Sequence, residues 1–221
     1  MKIRSHTSTL FACLTVLPAC VLDFGPRIRG SGVAATETRQ VDSFTRVHLR
    51  GAADIVAQVA PETLVEVSGD DNLLPYVVTR IEGDTLVIEM ERGNNYSFER
   101  GLEVRLSAPC IKGISISGSG EVDVAGVHGE AFEARISGSG DFRAAGAVDH
   151  LEASISGSGD MRLYDLVARE AVLRISGSGD MRVHVTEDID ARVSGSGDIS
   201  YRGDPRTSLE VSGSGDIRRD R

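Results

Sequence analysis

The 221-residue chain has no tryptophan, only four tyrosines and six phenylalanines, and no segment in which apolar residues keep a helical period. The scarcity of aromatics weakens any reading built on aromatic sugar-stacking platforms, and the missing period argues against a helical core. Positive charge is also short, with 24 Lys and Arg against 33 Asp and Glu and a net charge of −9. Sequence-independent nucleic-acid affinity comes from Lys and Arg neutralising phosphates, so an acidic chain without a basic stripe excludes DNA and RNA as partners. Catalytic signatures are lacking as well. The histidines beyond the first twenty residues, His48, His128, His150 and His184, are isolated in sequence and expected to face solvent, with no paired Cys or His to hold a metal. The serines lie in Ser-Gly-Ser-Gly rather than in a Gly-x-Ser-x-Gly elbow, and no glycine-rich turn carries the Lys of a phosphate loop. No catalytic residue, cofactor or metal ligand is therefore assigned.

The first twenty residues read as an export signal. Lys2 and Arg4 form a charged start and Leu10 to Leu17 an apolar stretch too short to span a bilayer. The stretch ends in Leu17-Pro18-Ala19-Cys20, which resembles a bacterial lipobox and makes Cys20 the candidate lipidated residue. Cleavage there removes Lys2 and Arg4 and takes the net charge from −9 to −11. An acidic body is repelled by anionic lipid, so the membrane partner is reached through the acyl anchor and not through a surface patch. Val21 after Cys20 resembles the sorting signal for the outer membrane; the alternative is a soluble secreted or periplasmic chain. With Cys13 removed and Cys20 lipidated, Cys110 is the one free thiol, expected as a buried small hydrophobe.

Ser-Gly-Ser-Gly begins at Ser117, Ser137, Ser156, Ser176, Ser194 and Ser212, spacings of 20, 19, 20, 18 and 18 residues. Each copy follows an apolar residue and precedes an acid, and short alternating runs such as Phe132-Glu133-Ala134-Arg135-Ile136 lie between copies. Alternation marks half-buried strands, and a fixed period near 20 residues marks a stacked array. The fold class is all-β, a parallel β-helix or solenoid of about 18–20 residues per coil, with an antiparallel β-sandwich as the alternative. Stacking aligns Glu121, Asp141, Asp160, Asp180, Asp198 and Asp216 in one acidic column, with Arg143, Arg162, Arg182 and Arg218 two residues on. That column reads as a balanced surface ladder or, as the sharper alternative, a calcium site.

Residues 21–40 read as a linker with glycines from Gly25 to Gly32, residues 41–110 as irregular coils, residues 111–216 as repeat coils and residues 217–221 as a charged tail. Strand signals lie at Phe44–Leu49, Ala53–Val59, Leu64–Val67, Leu86–Met90 and Leu102–Leu106, with a turn at Gly83-Asp84 and a turn or short helix at Asp70–Pro75. Phe44 to Asp54, the Val67-Ser68-Gly69-Asp70-Asp71-Asn72-Leu73-Leu74 block, the Gly83–Ile88 block and the tetrapeptide array, in that order, resemble the family described as putative auto-transporter adhesin, head GIN domain. The resemblance spans roughly residues 40–216. It implies a right-handed parallel β-helical body in an exported, often lipid-anchored protein, and it supplies no catalytic residues.

A non-catalytic, envelope-bound, adhesin-like solenoid with a glycan or protein-surface ligand is the function expected. A structural envelope component and a polysaccharide-acting enzyme are the alternatives, the latter disfavoured because acids repeated identically in every coil give no asymmetric pair. The segment Arg92, Asn94, Asn95, Tyr96, Phe98 and Arg100 interrupts the strands with two aromatics and several charges, and is the candidate interaction loop.

Overall fold

A computed structural model describes residues 26–220; the expected export signal, Cys20 and the start of the expected linker lie outside them. Strand makes up 70% of the chain and helix 2%, and the stacked parallel coils form a β-solenoid of about five turns. The helix is one short 3-10 turn, Leu74–Tyr76, in the Asp70–Pro75 region where a turn or helix was expected.

Strand Gly113–Gly118 pairs in parallel with the end of Glu121–Gly138. The same pairing passes on to Asp141–Gly157, Met161–Gly177, Met181–Gly195 and Arg206–Gly213. The tetrapeptide never slips, so Ser117, Ser137, Ser156, Ser176, Ser194 and Ser212 stand in one column. The period-2 alternation turns Ile116, Ile136, Ile155, Ile175 and Val193 inward, all nearly inaccessible. On the next side Phe142, Met161, Met181 and Ile199 do the same, and each such side chain contributes roughly 1.5–3 kcal/mol by leaving water.

The tetrapeptide makes the corner between these sides. Its first glycine has a positive φ, +133° at Gly157, and a Cβ there would lie 2.2 Å from the Gly138 carbonyl oxygen. Its second packs as closely, with the Gly159 position 2.1 Å from the Gly140 oxygen. No side chain fits between coils at either place. The second serine ties the corner to its neighbour, Ser158 N–H donating to Gly138 and Ser178 N–H to Gly157, both at 2.9 Å. The following acid completes the link. Asp160, Asp180 and Asp198 each accept the backbone N–H of the equivalent residue one coil on, at 3.1, 3.0 and 2.9 Å.

The N-terminal half is threaded out of order. Arg46–Gly51 pairs with Gly113–Gly118 on one side and with Thr85–Met90 on the other. Asp54–Val59 lies likewise between Glu121–Gly138 and Glu103–Ala108. Arg50-Gly51-Ala52-Ala53-Asp54 therefore occupies the tetrapeptide corner: Gly51 has φ +136°, its carbonyl accepts Ser119 N–H, and Asp54 accepts the Glu121 N–H. Antiparallel strands close this end, Val77–Glu82 on Thr85–Met90 and Leu64–Asp70 on Glu103–Ala108.

Two segments differ from the sequence reading. Part of the expected linker is strand: Arg27–Arg29 pairs with Asn95–Ser97, and Ala34–Thr38 pairs antiparallel with Leu64–Asp70. The partner strands supply order that the weak local alternation of Ala34-Ala35-Thr36-Glu37-Thr38 does not announce. The expected charged tail also contributes a strand, Ile217–Arg219, because Ile199–Arg202 offers it a free edge.

Candidate interaction surface

Outward side chains on one face of the array fall into columns by the same register. One holds Glu133, Glu152, Val172, Asp190 and Ser208; the next holds Arg135, Ser154, Arg174, Arg192 and Glu210. The serine column of the corner runs beside them. Acids and arginines pair across coils, Arg135 with Glu152 of the adjacent column at 3.2 Å and Arg192 with Glu210 of its own column at 3.3 Å.

Where this face meets the His128–Ala131 stretch of strand Glu121–Gly138, a trough opens along the coil axis. Its larger part, about 590 Å³, is lined by Arg46, Lys112, His128, Glu133, Glu152 and Arg174 among others. A smaller part of about 370 Å³ continues past Glu170, Asp188 and Arg206. His150, Leu151 and Val172 line both, so the two are continuous. From the coil of Lys112 to that of Ser208 the trough extends roughly 24 Å at about 4.8 Å per strand. Val172 replaces the acid of its column at mid-trough and is 36% exposed. Along the walls Arg46 meets Glu133 at 2.6 Å, His150 Nδ1 meets Glu170 at 3.1 Å and Arg206 meets Asp188 at 2.5 Å. The result is an apolar floor between walls of paired donors and acceptors. Of the acids lining it, Glu133, Glu152, Asp188 and Asp190 meet arginines and Glu170 meets His150.

The histidines divide. His128 and His150 are exposed, as expected. His48 and His184 are half-buried instead, because their strands put them beside neighbouring coils. His48 Nε2 lies 2.9 Å from Ser117 Oγ, and burial followed by the Arg50 charge pushes its pKa below 6.5 against Glu82 and Glu89. Cys110 is half-buried and lines the trough rather than the core, since the chain turns outward after Pro109.

The loop residues are held together elsewhere. Tyr96 packs on Tyr76 with ring centroids 5.5 Å apart and donates to the Glu91 carbonyl. Phe98 rests against the core, and Arg100 donates to the Gly32 carbonyl. Arg92, Asn95 and Arg100 are exposed, while Asn94 is half-buried with its amide 3.4 Å from the Tyr96 hydroxyl. Beneath them Asp70, wholly inaccessible, accepts backbone N–H bonds from Gly32, Glu99 and Arg100. Burial alone raises its pKa, but these three bonds and the Arg100 charge outweigh it and hold the carboxyl below its ordinary value. The loop is thus a fixed patch, away from the trough.

In the acidic column Asp141, Asp160, Asp180 and Asp198 each accept a backbone N–H, and Arg162 and Arg218 reach the acids of two coils, Asp141 with Asp160 and Asp198 with Asp216. The ladder is occupied by the protein's own groups. Among the described residues no cluster of three potential metal ligands is present and no helix is long and apolar enough to cross a membrane.

The family model described as "Putative auto-transporter adhesin, head GIN domain" matches residues 43–205. A crystal structure of a putative adhesin from Bacteroides fragilis superposes with a TM-score of 0.73, covering 87% of this chain and 100% of that one at 22% identity. A putative lipid binding protein from Parabacteroides distasonis gives a TM-score of 0.59 at 25% identity, covering 88% and 100%. A putative adhesin from the same species gives 0.58 at 20% identity, with the same coverage. No curated protein matches the chain.

Proposed function

The chain belongs to the family of putative auto-transporter adhesins with a head GIN domain, and from that premise we propose that it is a non-catalytic, envelope-bound recognition module that holds an extended glycan in the trough. The observation that carries this reading is Val172. It gives an otherwise polar column one apolar surface, at the point where both parts of the trough meet. Sugar C–H faces would rest on Val172, and ring hydroxyls would exchange hydrogen bonds with His150, Glu152, Arg174 and Asp190. Anchoring through a lipidated Cys20 would hold the body at the envelope, and mass spectrometry of the processed N-terminus tests that step.

A lipid ligand is the second reading, favoured by the Parabacteroides protein named for lipid binding and by the apolar trough floor. Titration of the purified chain with neutral envelope oligosaccharides, and in parallel with phospholipid vesicles, separates the two. Saturable oligosaccharide binding that Val172→Asp weakens about tenfold, or about 1.4 kcal/mol, is the expected result. Tyr96→Ala is expected to leave it unchanged; loss of binding in that variant instead would move the site to the 92–100 loop. Saturable binding of vesicles alone would favour the lipid reading, and no binding in either arm would favour a structural spacer.

A further inference from the structure

The column that runs Arg135, Ser154, Arg174 and Arg192, one residue per coil, holds three arginines, and two of them are neutralised. Arg135 meets Glu133 of its own coil and Glu152 of the next, the latter at 3.2 Å. Arg192 meets Asp190 of its own coil at 3.6 Å and Glu210 of the next at 3.3 Å. In both coils the acid stands two residues before the arginine, so the two side chains leave one face of the strand as neighbours. In the coil of Arg174 that place belongs to Val172. The acids in register with Val172 on either side are Glu152 and Asp190, which Arg135 and Arg192 already engage. Among the described residues Arg174 therefore forms no ion pair, although it is exposed and lines the trough. The residue that makes the trough apolar at its middle also leaves a guanidinium beside it without a counter-ion.

Arg174 lines a second hollow as well, of about 400 Å³, on the side of the serine column. There Ser154, one coil back, and Ser176, two residues on, place hydroxyl donors on either side of it. On the reading that the trough holds a glycan, we propose that this glycan is acidic, and that Arg174 binds the carboxylate of a uronic acid residue whose ring rests on Val172. A guanidinium holds a carboxylate through two parallel N–H···O bonds, and such charged bonds are roughly twice as strong as neutral ones. The charges of the lining agree. Among the described side chains of the larger part, Lys112 and Arg174 are without an ion pair against Glu130 alone, while Glu133 and Glu152 are held by arginines. With a net charge of −9 the chain offers an anion no long-range attraction, so the preference comes from contact with Arg174.

Two forms of one oligosaccharide test the proposal: the neutral chain, and the same chain with its C6 hydroxymethyl groups oxidised to carboxylates. Calorimetric titration of the purified protein in low salt is expected to give about tenfold tighter binding of the oxidised form. The readout is the ratio of the two affinities. Arg174→Gln should bring it to one, and so should Val172→Glu, which supplies the acid missing from that coil. Arg192→Gln should preserve it, because that arginine is already neutralised. Equal binding of the two forms by the native chain, or a preference that survives Arg174→Gln, would overturn the acidic ligand and leave the glycan reading standing. Binding of neither form would overturn both.

Discussion

Gly157→Ala adds one methyl group at a corner where the coils leave no room for it. The new carbon would stand 2.2 Å from the Gly138 oxygen, on a residue with φ +133°. Carbon and carbonyl oxygen in close contact rest about 3.3 Å apart, so the two coils must separate by about 1 Å. That stretches the Ser158 to Gly138 hydrogen bond, 2.9 Å in the native corner, to about 3.9 Å and beyond bonding range. The lost bond costs about 1 kcal/mol, the forced positive φ about 1–3 and the overpacking about 1–3, so a total of about 3–7 kcal/mol follows. Gly129 is the control: φ is +125° and nothing lies within 4 Å of an added Cβ. Gly129→Ala should carry the backbone strain alone, about 1–3 kcal/mol. Urea unfolding followed by circular dichroism measures both. Equal losses in the two variants would refute the claim that coil-to-coil contact, and not backbone conformation, fixes the glycines of the repeat.

Asp180→Ala removes the acceptor of the Asp198 N–H and should cost about 1–2 kcal/mol, while Asp180→Asn retains an acceptor and should cost less; hydrogen exchange at the Asp198 amide should speed up in the first. Asp70 has a folded pKa below the ordinary 3.8, so its contribution is complete above that value and is lost as pH falls through the folded pKa. Asp70→Asn should therefore lower the melting temperature at neutral pH, with the gap to the native chain closing below pH 3.8. Phe142→Ala, which empties a core position 6.3 Å from the Phe132 ring, should cost about 3–5 kcal/mol by thermal or urea unfolding.

The solenoid was legible because a coil must repeat its own length to stay in register, and the tetrapeptide records that length six times. The acid after it was legible as a column, though not as an acceptor of the next coil's N–H, because that geometry exists only between coils. The coil of Arg46 to Val59 was hidden. Its corner reads Arg-Gly-Ala-Ala-Asp, and one retained glycine with one retained acid is too little to show as a repeat. The trough was hidden too, since His128, His150 and Val172 come from three coils and meet only when these stack. A signal did exist: with the copies aligned on their glycines, Val172 is the apolar residue in a column of Glu133, Glu152 and Asp190. The 92–100 segment stood out by composition, but its aromatics serve the packing of Tyr76 and the core as well as the surface.

The out-of-order threading bears on how the chain acquires its structure as it is made. Synthesis delivers residues from the N-terminus onward, yet Arg46–Val59 finds its two neighbours only in residues 85–108 and 113–125. The first coil must wait with both edges unpaired until Thr85 follows, and with one edge unpaired until Gly113 does. Long-range pairing of this kind is slow to nucleate. The solenoid is therefore expected to begin from its middle, once Gly113–Ala125 closes on the waiting strands.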